Sequence, residues 1–451
     1  MTPTIAPSWQ DLAARLGPAY RLTAGWRDSN RAPTLRMHVN RFGPMPATER
    51  ADRAGRAHWL IDAVEQAGLT GRGGAGFPTD RKMRSVAEQR GEPVVVANGL
   101  ESEPASNKDK ALLAWAPHLV LDGAILAATA VGAAEVHLCL PRGQHRLISE
   151  IRHAVGERAH AGVDQVAIEV HELPHGYVSS SETAVINWLN GGQAKPTATP
   201  PRPYQKGVGR RPTLISNVET FAHVALIARL GPDWFRQAGN GGAAGSMLTT
   251  IGGAVQAPGV YEIEAGAQIG SALALGGLHR QVTTVLVGGY FGSWHELGQV
   301  AGLPLAAGPL RQLGAGPGAG VLFALPPDAC GVAETARVLG WLADQSANQC
   351  GPCMFGLPAI ADDFAQLASG RPSGALYERL HRRLTQISRR GACAHPDGAI
   401  RLAKSALAAF AADVRSHAHG RLCQPARYGR AAGPALPLPA DSGRGDQDRW
   451  R

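Results

Sequence analysis

Gly68-Leu-Thr-Gly-Arg-Gly-Gly-Ala-Gly-Phe-Pro-Thr79 is the stretch on which the reading of this chain turns. A helical pattern over 58–67 runs into it and is ended by Gly68. A second helix, over 79–89, follows it, with Pro78 suited to the first turn. Gly71 to Gly76 is a formal G-x-G-x-x-G. The dinucleotide fingerprint needs a strand before that motif, and here a helix precedes it, so this is not a standard Rossmann turn. The physics of the loop still favours an anion: glycines let backbone amides approach a phosphate, and a helix start lies next to it. A plain structural turn is the competing reading of the segment taken alone.

Outward from the loop, short apolar strands alternate with helices. Strands are expected over 93–97, 135–140 and 165–170, and helices over 118–130, 146–156 and 181–189. That alternation predicts a parallel α/β sheet. Ligands of such sheets sit at the carboxyl ends of strands, which draws attention to Asn98-Gly-Leu-Glu101-Ser-Glu103 directly after the first strand. A solvated acidic loop is the bland alternative. Ser216-Asn-Val-Glu219 reads as a capping box, with the Ser216 side chain capping an amide and Glu219 reaching back. From 246 the pattern becomes β-rich with glycine turns, and from 330 it is helical again.

Composition sets the limits. A chain of 451 residues is long enough for about three domains. Hydrophobic residues at 44% and charged residues at 18% exclude global disorder. The apolar run over 119–131, interrupted by Asp122, is too short to span a bilayer. The net charge of +9 comes mostly from scattered Arg, with only six Lys and no basic stripe interleaved with aromatics, so nucleic-acid binding is disfavoured. An anionic ligand or an acidic protein partner fits the charge. Residues 1–27 show no basic head followed by an apolar core, which places the protein in the cytoplasm. Six Cys are too few for a disulfide framework; Cys139 and Cys330 read as core thiols. Cys350-Gly-Pro-Cys353, with Cys393 forty residues on, fits a metal cluster, a redox dithiol or a zinc site with His395 as fourth ligand. Unrelated buried thiols are the bland reading.

Five segments, 68–79, 98–109, 176–189, 212–221 and 350–393, occur in the order and spacing of the NADH-quinone oxidoreductase F-subunits, the flavin- and NADH-binding component of respiratory complex I. The chain resembles that family over about 57–414. The resemblance implies an α/β flavin-binding domain (57–240), a small ubiquitin-like, soluble-ligand-binding β domain (246–325) and a C-terminal helical bundle with an iron–sulfur cluster (330–420); composition adds an irregular, Arg- and Pro-rich segment before them (1–56) and a Pro-, Gly- and Arg-rich disordered tail after them (421–451). It also implies FMN and an iron–sulfur cluster as cofactors, NAD(H) as substrate, hydride transfer to flavin, and single-electron transfer onward. The partner would be a ferredoxin-like protein or another iron–sulfur redox subunit, with no insertion into a membrane.

By the same resemblance, FMN contacts fall on Gly71, Arg72, Gly73, Lys82, Asn98, Glu101 and Glu103. Tyr177, Glu182, Ile215, Asn217 and Thr220 also match, and Phe77 would stack on the nicotinamide cofactor. Glu101, Glu103 and Glu182 would orient the donor, with Glu101 and Glu182 taken as catalytic. Departures are equally specific. Leu100 stands where the family has Asp, Ser180 and Ser181 replace Gly and Glu, and Ser85, Thr199 and Arg202 replace two aromatics and a Lys on the nicotinamide side. Cys350, Cys353 and Cys393 match three cluster ligands, but Ala347 replaces the first Cys. Three thiolates suit a three-iron cluster, or a four-iron cluster completed by Asn348, His395, Cys423, water or a partner. The alternative function is a redox scaffold that keeps the fold without NADH turnover.

Overall fold

The structure is a computed structural model and describes residues 20–26, 32–46, 58–174, 176–372, 374–429, 432–439 and 450–451. Helices α1 (Leu35–Phe42), α2 (His58–Ala67) and α3 (Thr79–Ala87) lead into strand β1 (Val94–Asn98). Then come α4 (Lys108–Trp115), α5 (Pro117–Val131), β2 (Glu135–Pro141), α6 (His145–Ala161), β3 (Ala167–Leu173), α7 (Glu182–Leu189), β4 (Thr213–Asn217) and α8 (Val218–Arg236). The strands form one sheet in the order β3-β2-β1-β4, every pairing parallel.

Strand alternation divides this sheet between two cores. Val95, Ala97, Val136, Leu138 and Leu214 face the large cluster built with α2, α5, α6 and α8. Val94, Val96, Cys139 and Ile215 face the smaller one, closed by Val185 and Ile186 of α7. Helix α5 is buried almost all round, from Pro117 at its start to Gly132, whose left-handed φ of 81° ends it. A Cβ at Gly123 would lie 1.7 Å from the Phe221 carbonyl oxygen, so only glycine lets α5 and α8 approach this closely. The apolar run over 119–131 is thus a core helix, and among the described residues no single helix is long and apolar enough to cross a membrane.

A second sheet follows: β5 (Ser246–Gly253), β6 (Gly259–Glu264), β7 (Thr284–Val287), β8 (Ser293–Glu296) and β9 (Val321–Ala324), in the order β6-β5-β9-β7-β8. Only β5 and β9 pair in parallel. Helix α9 (Ile269–Leu275) buries Ile269 and Leu273 in the core of this sheet. Helices α10 (Gly331–Asp344), α11 (Leu357–Ala368), α12 (Leu376–Ile387), α13 (His395–Ala409) and α14 (Ala411–Ala418) follow, with a further short helix at Gln424–Tyr428. Leu342, Phe364, Leu380, Leu384 and Leu402 join their core.

The structure corrects three expectations. The cap of α8 is Asn217, whose side chain accepts from the Glu219 amide, and not Ser216. Glu219 does not reach back to Ser216, because Lys108 holds its carboxylate. The segment 1–56 is not wholly irregular where described: Thr34 caps α1, and His38 of α1 reaches Asp122 at 2.7 Å. The tail from 421 is not disordered where described. Glu334 accepts the amides of Ala435 and Leu436, and Leu436 is buried. The tail's Pro, Gly and Arg content hid the few apolar side chains, Leu436 and Trp450 among them, that dock it. The remaining parts of 1–56 and 421–451 lie outside the described residues.

Candidate functional site

The glycine loop is closed at its base by the Gly71 amide on the Phe77 carbonyl and the Thr79 amide on the Leu69 carbonyl, each at 2.9 Å. Its tip uses left-handed backbone at Gly74 (φ 102°) and Gly76 (φ 63°). A Cβ at Gly73 would stand 3.3 Å from that of Asn217 at the end of β4. The Arg72 amide donates to Thr220 Oγ1 at 2.9 Å, and its guanidinium donates to the Ala244 and Ser246 carbonyls at 3.0 Å. Arg72 and Thr220 therefore lock the loop onto α8 and β5. A cavity of 330 Å³ opens between this loop and the second sheet, lined by Thr70, Gly74, Lys108, Met247 and Gly318 among others. Phe77 is half exposed beside the loop.

Lys82, on α3, donates to the Ile215 carbonyl at 2.7 Å and pairs with Glu182 at the start of α7. Asn98, at the end of β1, donates to the Ser180 carbonyl at 2.8 Å. These residues form the exposed rim at the carboxyl ends of β1 and β4. Beneath the rim lies a buried charged network. Lys108 donates to Asp109 Oδ1 at 2.7 Å and Glu219 Oε2 at 2.8 Å, and Asn217 donates to Asp109 Oδ2 at 2.7 Å. Burial pushes the Glu219 carboxyl up, but Lys108, His223 and Arg72 outweigh it and hold it at about 2. Burial, only partly offset by Lys108, pushes Asp109 up to about 6. Lys108 was not singled out from the sequence. Its signal was its place in the first turn of a helix, where the macrodipole disfavours a cation unless carboxylates hold it.

Glu101 is buried, and its oxygens accept from Ser106 Oγ at 2.5 Å and from the Asp109 and Lys110 amides at 3.1 Å. It organises the 101–110 loop. Glu103 accepts from the Tyr177 hydroxyl at 3.0 Å and from the Tyr290 and Ala105 amides. Burial, against those three donors, pushes its carboxyl up to about 7. Leu100 is buried in the apolar cluster with Val96 and Ile186.

The cysteines meet at the far end of α10. The amides of Cys353 and Met354 both bond the Cys350 carbonyl at 3.0 Å, in a turn that leads into α11. Burial pushes the Cys353 thiol up to about 12, and Cys350 and Cys393 lie close enough to add to the shift. Ala347 is buried against Val178 and Trp450 and offers no ligand atom. His395 donates Nε2–H to the Leu342 carbonyl at 2.8 Å, while its buried Nδ1 has no partner. Cys423 lies elsewhere, with Cys330 and His417 at the start of α10. The 14 residues of α10 put about 20 Å between the two ends of the helix.

Tyr177 joins the two halves. Its hydroxyl reaches Glu103, its amide donates to Gln345 Oε1 at 3.1 Å, and its ring lies 5.1 Å from Trp341 and 5.9 Å from His395.

Two family profiles match the chain. One is the Nuo51 FMN-binding domain, over residues 64–226, and the other is the NADH-ubiquinone oxidoreductase-F iron-sulfur binding region, over 333–417. The chain is 30% identical over 317 residues to the NADH-quinone oxidoreductase F-subunit of Aquifex aeolicus, covering 66% of this chain and 71% of that one. It is 29% identical to the second NADH-quinone oxidoreductase F-subunit of Rhizobium meliloti over 81% of this chain and 90% of the relative. In structure it is similar to a chain of an NAD+-reducing NiFe hydrogenase crystallised in the H2-reduced state. The TM-score is 0.74 at 28% identity, covering 87% of this chain and 67% of that chain.

Proposed function

The chain belongs to the family of NADH-quinone oxidoreductase F-subunits, and from that premise we propose that it is the NADH-oxidising, FMN- and iron–sulfur-bearing component of an electron-transfer enzyme. FMN supplies two-electron acceptance from NADH with one-electron release, and the cluster supplies the one-electron relay. The residues present fit both groups. Gly73 and Gly74 leave a cradle that any Cβ would fill, and the start of α3 and Lys82 favour a phosphate there. Three thiols converge at the cysteine turn, suited to a three-iron cluster or to a four-iron cluster completed from outside this triad.

Within this reading, Gly71, Gly73, Lys82, Asn98, Ile215 and Asn217 hold the flavin. Arg72, Thr220 and Glu101 are positioning residues, since their polar groups are spent on the loops that carry the site. Glu182, almost half exposed beside Lys82, orients the donor, with Phe77 as its stacking face. The single observation that carries the proposal is Tyr177, which touches Glu103 on the flavin side and Gln345 and His395 on the cysteine side. One residue thus spans the gap an electron must cross. The finer architecture belongs to the proposal too: a ubiquitin-like β domain over 246–325 and a helical cluster domain over 330–420. So do a cytoplasmic location and an acidic ferredoxin-like or iron–sulfur partner suited to the +9 charge.

Leu100 favours a second reading. A buried apolar side chain stands where the family places Asp, so a protein that keeps flavin but has lost nicotinamide turnover is consistent with it. Anaerobic visible and electron-spin-resonance spectra before and after NADH decide between the two. Flavin bleaching with a reduced-cluster signal establishes the first. Flavin that ignores NADH but bleaches with dithionite establishes the second. Absence of both flavin and iron after reconstitution sinks both.

A further inference from the structure

We propose that His137, Glu169 and His171 form a binding site for one divalent transition-metal ion of the zinc type, separate from the flavin and cysteine sites. The three donor atoms lie at mutual distances of 2.8 Å (His137 Nδ1 to His171 Nε2), 3.5 Å (His171 Nε2 to Glu169 Oε2) and 3.6 Å (His137 Nδ1 to Glu169 Oε2). Ligands at about 2.0–2.2 Å from a common ion, at tetrahedral to right angles, stand roughly 3.0–3.5 Å apart. The arrangement is close to that with no ion present.

The backbone register brings the three residues together. On the parallel strands β2 and β3, His137 pairs with Glu169 and Cys139 with His171. Residues 137, 169 and 171 lie on one face of the pleat, with Glu169 beside His137 and His171 two residues further along β3. The outer side is open: the His137 side chain is 10% exposed, that of His171 23% and that of Glu169 58%. Water or a further ligand can complete the coordination there.

The surroundings are those of a built site. Nε2 of His137, buried and without a hydrogen bond, faces Glu135 Oε1 at 3.5 Å, and Glu135 is held in turn by Arg211. A carboxylate so placed can orient a ligating imidazole from behind. Trp188 packs edge-on against the His171 ring at 6.3 Å and restrains it. A simple imidazole–imidazole hydrogen bond accounts for the 2.8 Å contact but not for Glu169. Its oxygen stands almost equidistant from both nitrogens and beyond good bonding distance of either, as a third ligand of one ion would. Two imidazoles and one carboxylate select zinc, nickel or copper over calcium or magnesium. Because β3 is the edge strand, the ion would pin the margin of the sheet.

The test uses the full chain with its own cofactors. Zn2+ is titrated calorimetrically, and Cu2+ is added as a spin probe. We expect one Zn2+ equivalent lost in H171A, with affinity down at least about 100-fold, and weakened about tenfold in E135Q. The Cu2+ spectrum should show splitting from two imidazole nitrogens in the parent and one in H171A. E169Q changes a mostly exposed side chain, so its loss of binding cannot be put down to unfolding. C423S, which removes a thiol from the Cys330, His417, Cys423 group, should leave the titration unchanged. Zn2+ binding that is unaltered in both H171A and E169Q, or that disappears only in C423S, overturns the proposal.

Discussion

The Tyr177 hydroxyl donates to Oε2 of Glu103 at 3.0 Å, and the Tyr290 amide donates to the same oxygen at 2.8 Å. All three donors to Glu103 suit a carboxylate, yet burial outweighs them and raises its carboxyl from 4.5 to about 7. A raised folded-state value means that the stabilisation is fully present below pH 4.5 and is lost as pH rises through about 7. The loss is about 3 kcal/mol at 1.4 kcal/mol per pH unit. Denaturant unfolding between pH 5 and 8 should show this decline in the parent and a flatter profile in Glu103→Gln, which keeps the acceptor without the charge. Parallel profiles would show that Glu103 is ionised throughout.

Lys108 sits among Asp109, Asn217 and Glu219, with side-chain exposures of 4% for Lys108 and 1% for Glu219. Removing one member leaves the other charged and dry. Lys108→Met should cost about 3–5 kcal/mol, whereas Lys108→Met combined with Glu219→Leu should cost less than the single change. Glu219 also accepts the Leu248 amide at 2.8 Å, so the double variant will not recover fully. A double-mutant cycle by urea unfolding checks this, and strictly additive losses would contradict a coupled pair.

Asp122 on α5 gathers His38, Arg158 and Arg229. Burial raises its carboxyl, but His38 and the two arginines prevail and hold it well below the usual carboxylate range. Its stabilisation is therefore complete above the unfolded value of about 4 and is lost as pH falls below it. Asp122→Asn should destabilise the neutral protein by about 3–5 kcal/mol and flatten the acid limb of the stability profile. An unchanged acid limb would assign acid sensitivity to other carboxylates.

How legible these features were follows from distance along the chain. The glycine loop and the cysteine turn are local spacings, and so are the helix start at Pro78 and the strand before Asn98. The Lys108–Glu219 pair spans 111 positions, and no local pattern reports it. The α8 cap shows the limit of motif reading: Ser216 and Asn217 are both good caps, and the parallel pairing that carries β4 through Asn217 decides for the second. In the tail, composition predicted disorder, but contacts far along the chain dock it, such as Glu334 accepting from Ala435, 101 residues away, and Trp450 packing on Val178. Family likeness located Glu101, yet only the structure shows that its oxygens are spent on its own loop.

Ala347 stands where the family places the first cluster thiol, buried against Val178 and Trp450. Its neighbour Asn348 takes a left-handed φ of 52°, and its side chain accepts from Ser346 at 2.9 Å, so the turn is already built. Ala347→Cys adds a single heavy atom to a small apolar cluster, at a cost of about 1 kcal/mol. With three thiolates, the parent should hold three irons and be paramagnetic when oxidised. With four, the variant should hold four irons, be silent when oxidised and become paramagnetic on reduction. Iron analysis paired with spin-resonance spectra in both states reads this directly, and Cys393→Ala serves as the control that loses the cluster. A parent that already contains four irons would show that another group fills the fourth position. The buried, unpartnered Nδ1 of His395 would then be the first to replace, as His395→Leu.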